Sequence, residues 1–163
     1  MAEKLTLDQV AARLTERFPG KVARGGEGEA GDPWWKVDAG ALLDVVRFLR
    51  DELDFHGLQC ISGVCYGAGK PLASVYHLDS YAHGCSICLH VEFTDRDNAR
   101  VASLTPLFSA ADWHEREAFD LLGIVYEGHP NLVRILCAED WVGHPLRKDY
   151  VIPKEYHGIR NDL

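Results

Sequence analysis

Ten residues from Cys85 to Thr94 alternate without a break, with Cys85, Ile87, Leu89, Val91 and Phe93 on one side and Ser86, Cys88, His90, Glu92 and Thr94 on the other. A period of two marks a strand with one packed face and one face turned to water or a partner. Segments near 58–65 and 72–79 are also rich in β-branched and aromatic residues, and Gly67, Gly69 and Pro71 supply turns between them. A sheet with one apolar face has to bury it under another layer. The front of the chain provides that layer. Thr6, with Gln9 in a capping box, opens a helix carrying Leu7, Val10, Leu14 and Phe18 and ending at Gly20. After a flexible Gly/Glu stretch (GGEGEAG), Trp34 to Val37 reads as a short strand. Asp38 then caps a helix with Leu42, Val45, Val46, Leu49 and Leu53 on one face. The order implies an α+β fold: a two-layer sandwich with a mainly antiparallel or mixed sheet and helices on one face.

Helical signals return at Thr105-Pro106 and again at Ser109, ahead of AADWHEREAFDLLG, with Gly123 as the stop. Ala111, Ala118, Phe119 and Leu122 form the stripe expected to be buried, while Trp113, Arg116, Glu117 and Asp120 share another face. Glu117 is assigned to a structural ion pair with an arginine. From Ile124 to Leu163 neither period persists, and Pro130, Pro145 and Pro153 interrupt the chain. The stretch is nevertheless apolar, with Ile135, Leu136, Trp141, Leu146, Tyr150 and Tyr156. The expected organisation is therefore an α+β domain over 1–123 and an extended C-terminal arm over 124–163 laid on another protein. The alternative is that the arm wraps back over its own domain. On the first reading, truncation after Val125 leaves the domain folded. Two Gly-His-Pro turns, at His129 and His144, are taken as extended corners of the arm.

Composition narrows the function. A chain of 163 residues with net charge -8 and pI ≈ 5.4 lacks the Lys/Arg stripe that nucleic acid or anionic lipid requires. No apolar run reaches the ~20 residues of a spanning helix, and the N-terminus does not read as a secretory signal. Five irregularly spaced cysteines fit a reducing compartment better than a disulfide framework. Cys85-x-x-Cys88 with His83 and His90 has the look of a zinc site, but strand residues three apart point to opposite faces, as do Cys60 and Cys65. Core and half-buried thiols are the default, and no metal, catalytic or cofactor-binding residue is assigned. A free-standing Cys/His metal-binding or hydrolytic domain using the Glu115-Arg116-Glu117 helix is the rival of a different class.

The run DWHEREAFDLLGIVYEGHPNLVRILCAEDWVGHPLRKDY, from Asp112 to Tyr150, resembles the signature of the thirty-kilodalton subunit of respiratory complex I, which is the C subunit of bacterial NADH-quinone oxidoreductase. LASVYHLDS, from Leu72 to Ser80, is similar to that family's central strand. The family's usual Val-Asp-Tyr stands here as Val64-Cys65-Tyr66. The resemblance implies a non-catalytic scaffold in the peripheral arm of the complex, on the cytoplasmic side of the bacterial cell membrane. FMN, iron–sulfur clusters and quinone then belong to other subunits. The C-terminal arm would embrace the quinone-site protein (the D subunit, of the forty-nine-kilodalton type), with the B subunit among the other neighbours. Trp113, Glu115, Arg116, Glu117 and Asp120 would stabilise the arm's root or meet the partner. His129, Pro130, Arg134, Trp141, His144, Pro145, Arg147, Lys148, Asp149 and Tyr150 would anchor the arm. A membrane-bound hydrogenase or a ferredoxin-linked quinone reductase would use an equivalent subunit.

Overall fold

A computed structural model describes residues 4–27 and 33–161. Helix α1 (Leu7–Arg17) begins at Thr6, whose hydroxyl accepts from the Gln9 amide while the Gln9 side chain accepts from the Thr6 amide. Both halves of the capping box are present. Strands β1 (Val22–Glu27) and β2 (Pro33–Val37) follow, then a 3₁₀ turn (Ala39–Ala41) capped by the Asp38 carboxylate, and helix α2 (Leu42–Glu52). The three long strands are β3 (Gly57–Cys65), β4 (Leu72–Ser80) and β5 (Cys85–Phe93). Together they build one mixed sheet in the order β1-β2-β5-β4-β3, parallel only between β2 and β5.

Register sets the two faces. Ile61, Tyr76 and Leu89 lie in one row and Leu78 and Ile87 in another, all buried. Val10 and Leu14 of α1 and Leu42, Val45, Val46 and Leu49 of α2 join the same core. The opposite face carries Trp34 stacked on His90 with ring centroids 4.2 Å apart, the Lys36–Glu92 ion pair, and Cys60 against His77. Cys85 thus sits on the core side of β5 and Cys88 on the other, and Cys60 and Cys65 diverge likewise. His83 is buried at the end of β4, where its Nδ1 accepts from the Leu5 amide.

Three local expectations change. Part of the Gly/Glu stretch is strand: Gly25 and Gly26 lie in β1 because the Trp34 indole covers them, and a Cβ on Gly25 would fall 2.0 Å from that ring. Residues 28–32 of the stretch lie outside the described residues. Thr105-Pro106 does not open a helix. The Thr105 hydroxyl is taken up by Ser103 at 2.7 Å, residues 104–108 form turns, and helix α3 starts at Ala111 and runs to Leu122.

The boundary at 123 also moves. Strand β6 (Arg100–Ala102) and strand β7 (Val125–Glu127) pair in parallel with α3 as the crossover between them. Tyr126 is 1% exposed, and its hydroxyl meets the buried Ser74 hydroxyl at 2.8 Å. Burying a tyrosine requires a partner for its oxygen as well as for its ring. The domain's core therefore continues through Tyr126. Near the C-terminus β8 (Glu155–Tyr156) and β9 (Ile159–Arg160) form a hairpin around His157 and Gly158, both with positive φ as a two-residue turn requires.

Candidate docking site on the third helix

Helix α3 packs on the sheet through a missing side chain. A Cβ on Gly63 of β3 would come within 2.4 Å of the Leu122 methyl, so glycine there lets Ala118, Leu122 and Ile124 close onto the strand. The inner face of α3 also buries a carboxylate. Glu115 accepts from the Ser103 hydroxyl at 2.6 Å and from the Leu104 amide at 2.7 Å, and so ties the 103–105 turn to the helix. Burial outweighs both hydrogen bonds and pushes its pKa up to about 7, with Asp112 adding to the rise.

Asp120, one turn and a residue further on, is fully buried in a different setting. Its Oδ2 accepts from the consecutive amides of Ile135, Leu136 and Cys137 at 3.0, 2.8 and 2.8 Å. Its Oδ1 takes a 2.6 Å ion pair from Arg134. Burial opposes ionisation, but three backbone donors and a guanidinium prevail and hold the pKa well below the usual carboxylate range. Arg134 donates further to the carbonyls of Asp120, Trp141 and Gly143 at 3.0, 3.0 and 2.9 Å. One carboxylate and one arginine thus fold the stretch from Arg134 to Gly143 against the helix.

The same segment completes the end of the helix. The last four carbonyls of an α-helix lack intrahelical partners, and here each finds one. Phe119 receives the Gly123 amide, Asp120 the His144 Nδ1–H at 2.9 Å, Leu121 the Leu146 amide at 3.0 Å, and Leu122 the Arg147 guanidinium at 2.8 Å. Gly123 is left-handed at φ 74, and a Cβ on it would fall 2.5 Å from His144, so glycine is required by conformation and by space. Burial, reinforced by the charges of Arg147 and Arg134, outweighs the Asp120 carbonyl and lowers the His144 pKa. At the other end of α3, His129 accepts the Asn131 amide on Nδ1 and donates from Nε2 to the Asp112 carbonyl at 3.2 Å. The two Gly-His-Pro turns clip opposite ends of one helix.

The remaining sequence-predicted residues separate into two groups. Arg116 lies over the Trp113 ring at 4.9 Å and donates to the carbonyls of Val133 and Arg134, and Asp149 pairs with Arg96 at 2.6 Å. Tyr150 packs on Gly143 and donates to the Val142 carbonyl, and Trp141 packs on Tyr156 at 5.0 Å. Glu117 stands apart: it is exposed and forms no ion pair among the described residues, so the arginine-paired carboxylate of this helix is Asp120. Pro130 and Lys148 are exposed, Pro145 half-buried, and the Lys148 amide donates to the Cys65 sulfur at 3.4 Å. Cys65, at the position of the family's aspartate, also receives Arg96 at 3.8 Å and so remains an acceptor for the tail. Arg96, Ser103 and Ser74 were not singled out by sequence. Each acts on a partner 12 to 53 residues away, a separation that no local pattern carries. Among the described residues, no group of three or more metal-ligating side chains converges.

The family described as "Respiratory-chain NADH dehydrogenase, 30 Kd subunit" matches residues 35–156, a span that takes in the sheet, α3 and the clasp. The chain belongs to that family. Among its relatives, the C subunit of NADH-quinone oxidoreductase from Roseiflexus castenholzii is 46% identical over 149 residues, covering 90% of this chain and 84% of that one. The same-named protein of Chloroherpeton thalassium is 47% identical over 119 residues, but this chain spans only 49% of its length. In fold, this member of the thirty-kilodalton family is similar to a chain in the structure of the membrane-bound sulfane sulfur reductase, an archaeal respiratory membrane complex, with TM-score 0.73 at 22% identity over 89% of this chain and 85% of that one. No helix among the described residues is long and apolar enough to cross a membrane.

Proposed function

We propose that the chain is a non-catalytic scaffold in the peripheral arm of a proton-translocating NADH:quinone oxidoreductase, on the cytoplasmic side of the bacterial cell membrane. Its C-terminal segment docks on the quinone-site protein (the D subunit), with the B subunit nearby, while FMN, iron–sulfur clusters and quinone reside in other subunits. One observation carries the reading. Of ten exposed large hydrophobic residues, seven lie between 133 and 159: Val133, Leu136, Val142, Leu146, Val151, Ile152 and Ile159. The clasp satisfies the polar groups of this segment internally and leaves its apolar side chains outward, as a contact surface requires. Relatives named as the C subunit of NADH-quinone oxidoreductase, at 42% to 50% identity, favour that complex over a hydrogenase or ferredoxin-linked counterpart.

Co-expression with the quinone-site protein tests this reading. The full chain co-purifies with it, and a chain ending at Tyr150, which lacks Val151, Ile152 and Ile159, binds at least about tenfold more weakly while keeping its melting temperature. Wild-type binding by the shortened chain overturns the proposal. So does turnover of NADH by the purified chain, or a stoichiometric bound metal.

A further inference from the structure

The two outer strands of the sheet are unlike each other. Strand β1 is short, contains Gly25 and Gly26, and is broken by a bulge between Arg24 and Gly26. Strand β3 has nine residues, GLQCISGVC, without a proline or a charge, and after a bulge near Leu58 it runs regularly from Cys60 to Cys65. It pairs with β4 on one side, and among the described residues no backbone hydrogen bond reaches its other side. Folded proteins blunt such edges with lysine, proline or bulges, because a long uncharged edge is a template for another strand. On this edge those devices are missing over six residues, about 20 Å of strand.

A groove of about 240 Å³ lies along the same stretch, between the Cys60–Gly63 backbone and α3, with Glu117, Leu121 and Leu146 on its far wall. Leu146 is held there by the bond from its amide to the Leu121 carbonyl, with its side chain 55% exposed. The groove thus offers an unpaired backbone ladder, an apolar floor and one uncommitted carboxylate.

We propose that β3 is a strand-addition site for an extended segment of a partner protein, with an apolar side chain over Leu121 and Leu146 and a lysine or arginine against Glu117. The ladder selects an extended backbone, since only a strand matches donors and acceptors spaced along one edge. The carboxylate selects a basic segment, and the chain's net charge of -8 disfavours a second copy in the same place. Six paired residues fall short of the roughly 1,000 Å² of a stable interface. The contact therefore works beside the arm surface, which raises the effective concentration of the segment. In that respect the inference rests on the assembly reading above.

Hydrogen exchange on the full chain, alone and within the purified respiratory complex, tests it. The outward amides between Cys60 and Cys65 exchange quickly in the free chain and slow by at least about tenfold in the complex. A photo-crosslinking residue at Ser62 captures a segment of another protein of the complex containing Lys or Arg. Glu117→Lys, at an exposed position without an ion pair, leaves the melting temperature unchanged but lowers occupancy of the chain in the complex by about fivefold or more, and Glu117→Gln lowers it less. Unchanged exchange confined to Cys60–Cys65, a crosslink to a second copy of this chain, or wild-type occupancy of Glu117→Lys overturns the strand-addition site. If the tail beyond Tyr150 also stays unprotected, or the chain does not enter the complex at all, the assembly reading falls with it.

Discussion

Two regions of α3 each bury a carboxylate, and they treat it in opposite ways. Near the start of the helix, Glu115 faces the 103–105 turn with one amide, one hydroxyl and no cation, so burial dominates and the acid is held to about pH 7. Near its end, Asp120 faces the C-terminal segment with three amides and Arg134, and remains ionised far into acid. Equal removal from water therefore does not set the charge state; the donors supplied in exchange do. The helix uses a carboxyl group that protonates readily to hold its own domain and a fixed anion to hold the tail.

The comparison breaks most completely when the tail's donors are removed. A chain ending at Val125 loses Tyr126 together with every partner of Asp120 and three caps of α3. It should give no cooperative melt, since deletion of one buried aromatic already costs about 3 to 5 kcal/mol. A normal melt for that chain would mean that the clasp contributes nothing to the fold. Asp120→Ala keeps the tail but strands Arg134 and three amides, and should cost about 3 to 5 kcal/mol by denaturant titration. It should also speed amide exchange over 134–147. Arg134→Lys retains the charge but loses the fork to the carbonyls of Trp141 and Gly143, and is expected to cost about 1 to 3 kcal/mol.

Glu115 gives the pH test. Its folded pKa of about 7 exceeds the ordinary 4.5, so between those values the folded chain keeps a proton that the unfolded chain has released. Its contribution is complete below pH 4.5 and is lost as pH rises through 7, by on the order of 1 to 3 kcal/mol. Glu115→Gln, whose amide can donate to Ser103 while its carbonyl accepts from Leu104, should flatten that slope. A wild-type slope in the variant would place the titration elsewhere. For Asp120 the sign is reversed: its stabilisation is present above pH 3.8 and is lost only in stronger acid. The smallest change in stability, under about 1 kcal/mol, is expected for the chain ending at Tyr150, because Val151, Ile152 and Ile159 are exposed.

Much of the fold was legible because its signals are local. The Thr6 capping box, the Leu42/Val45/Val46/Leu49 stripe and the alternation of Cys85 to Phe93 each depend on residues within one or two turns or a single strand, and all three appear where the pattern puts them. The clasp was less legible. Its residues were marked by their resemblance to the family signature, but the role of each depends on a partner far along the chain. Glu117 and Asp120 share a helix face and a charge. Only the arrival of Arg134 at one of them, and not the other, decides which is the structural ion pair.

The period of the apolar residues, the caps and the glycine stop at Gly123 determined the layers of this protein, because backbone geometry converts spacing directly into faces. The tertiary structure alone decided that the irregular segment from Gly128 to Tyr150 folds onto its own helix, and which strand edge of the sheet stays bare. A segment without period carries no register of its own. Its path is set by where buried carboxylates and orphan carbonyls happen to need donors, and those needs exist only once the helix and sheet have packed.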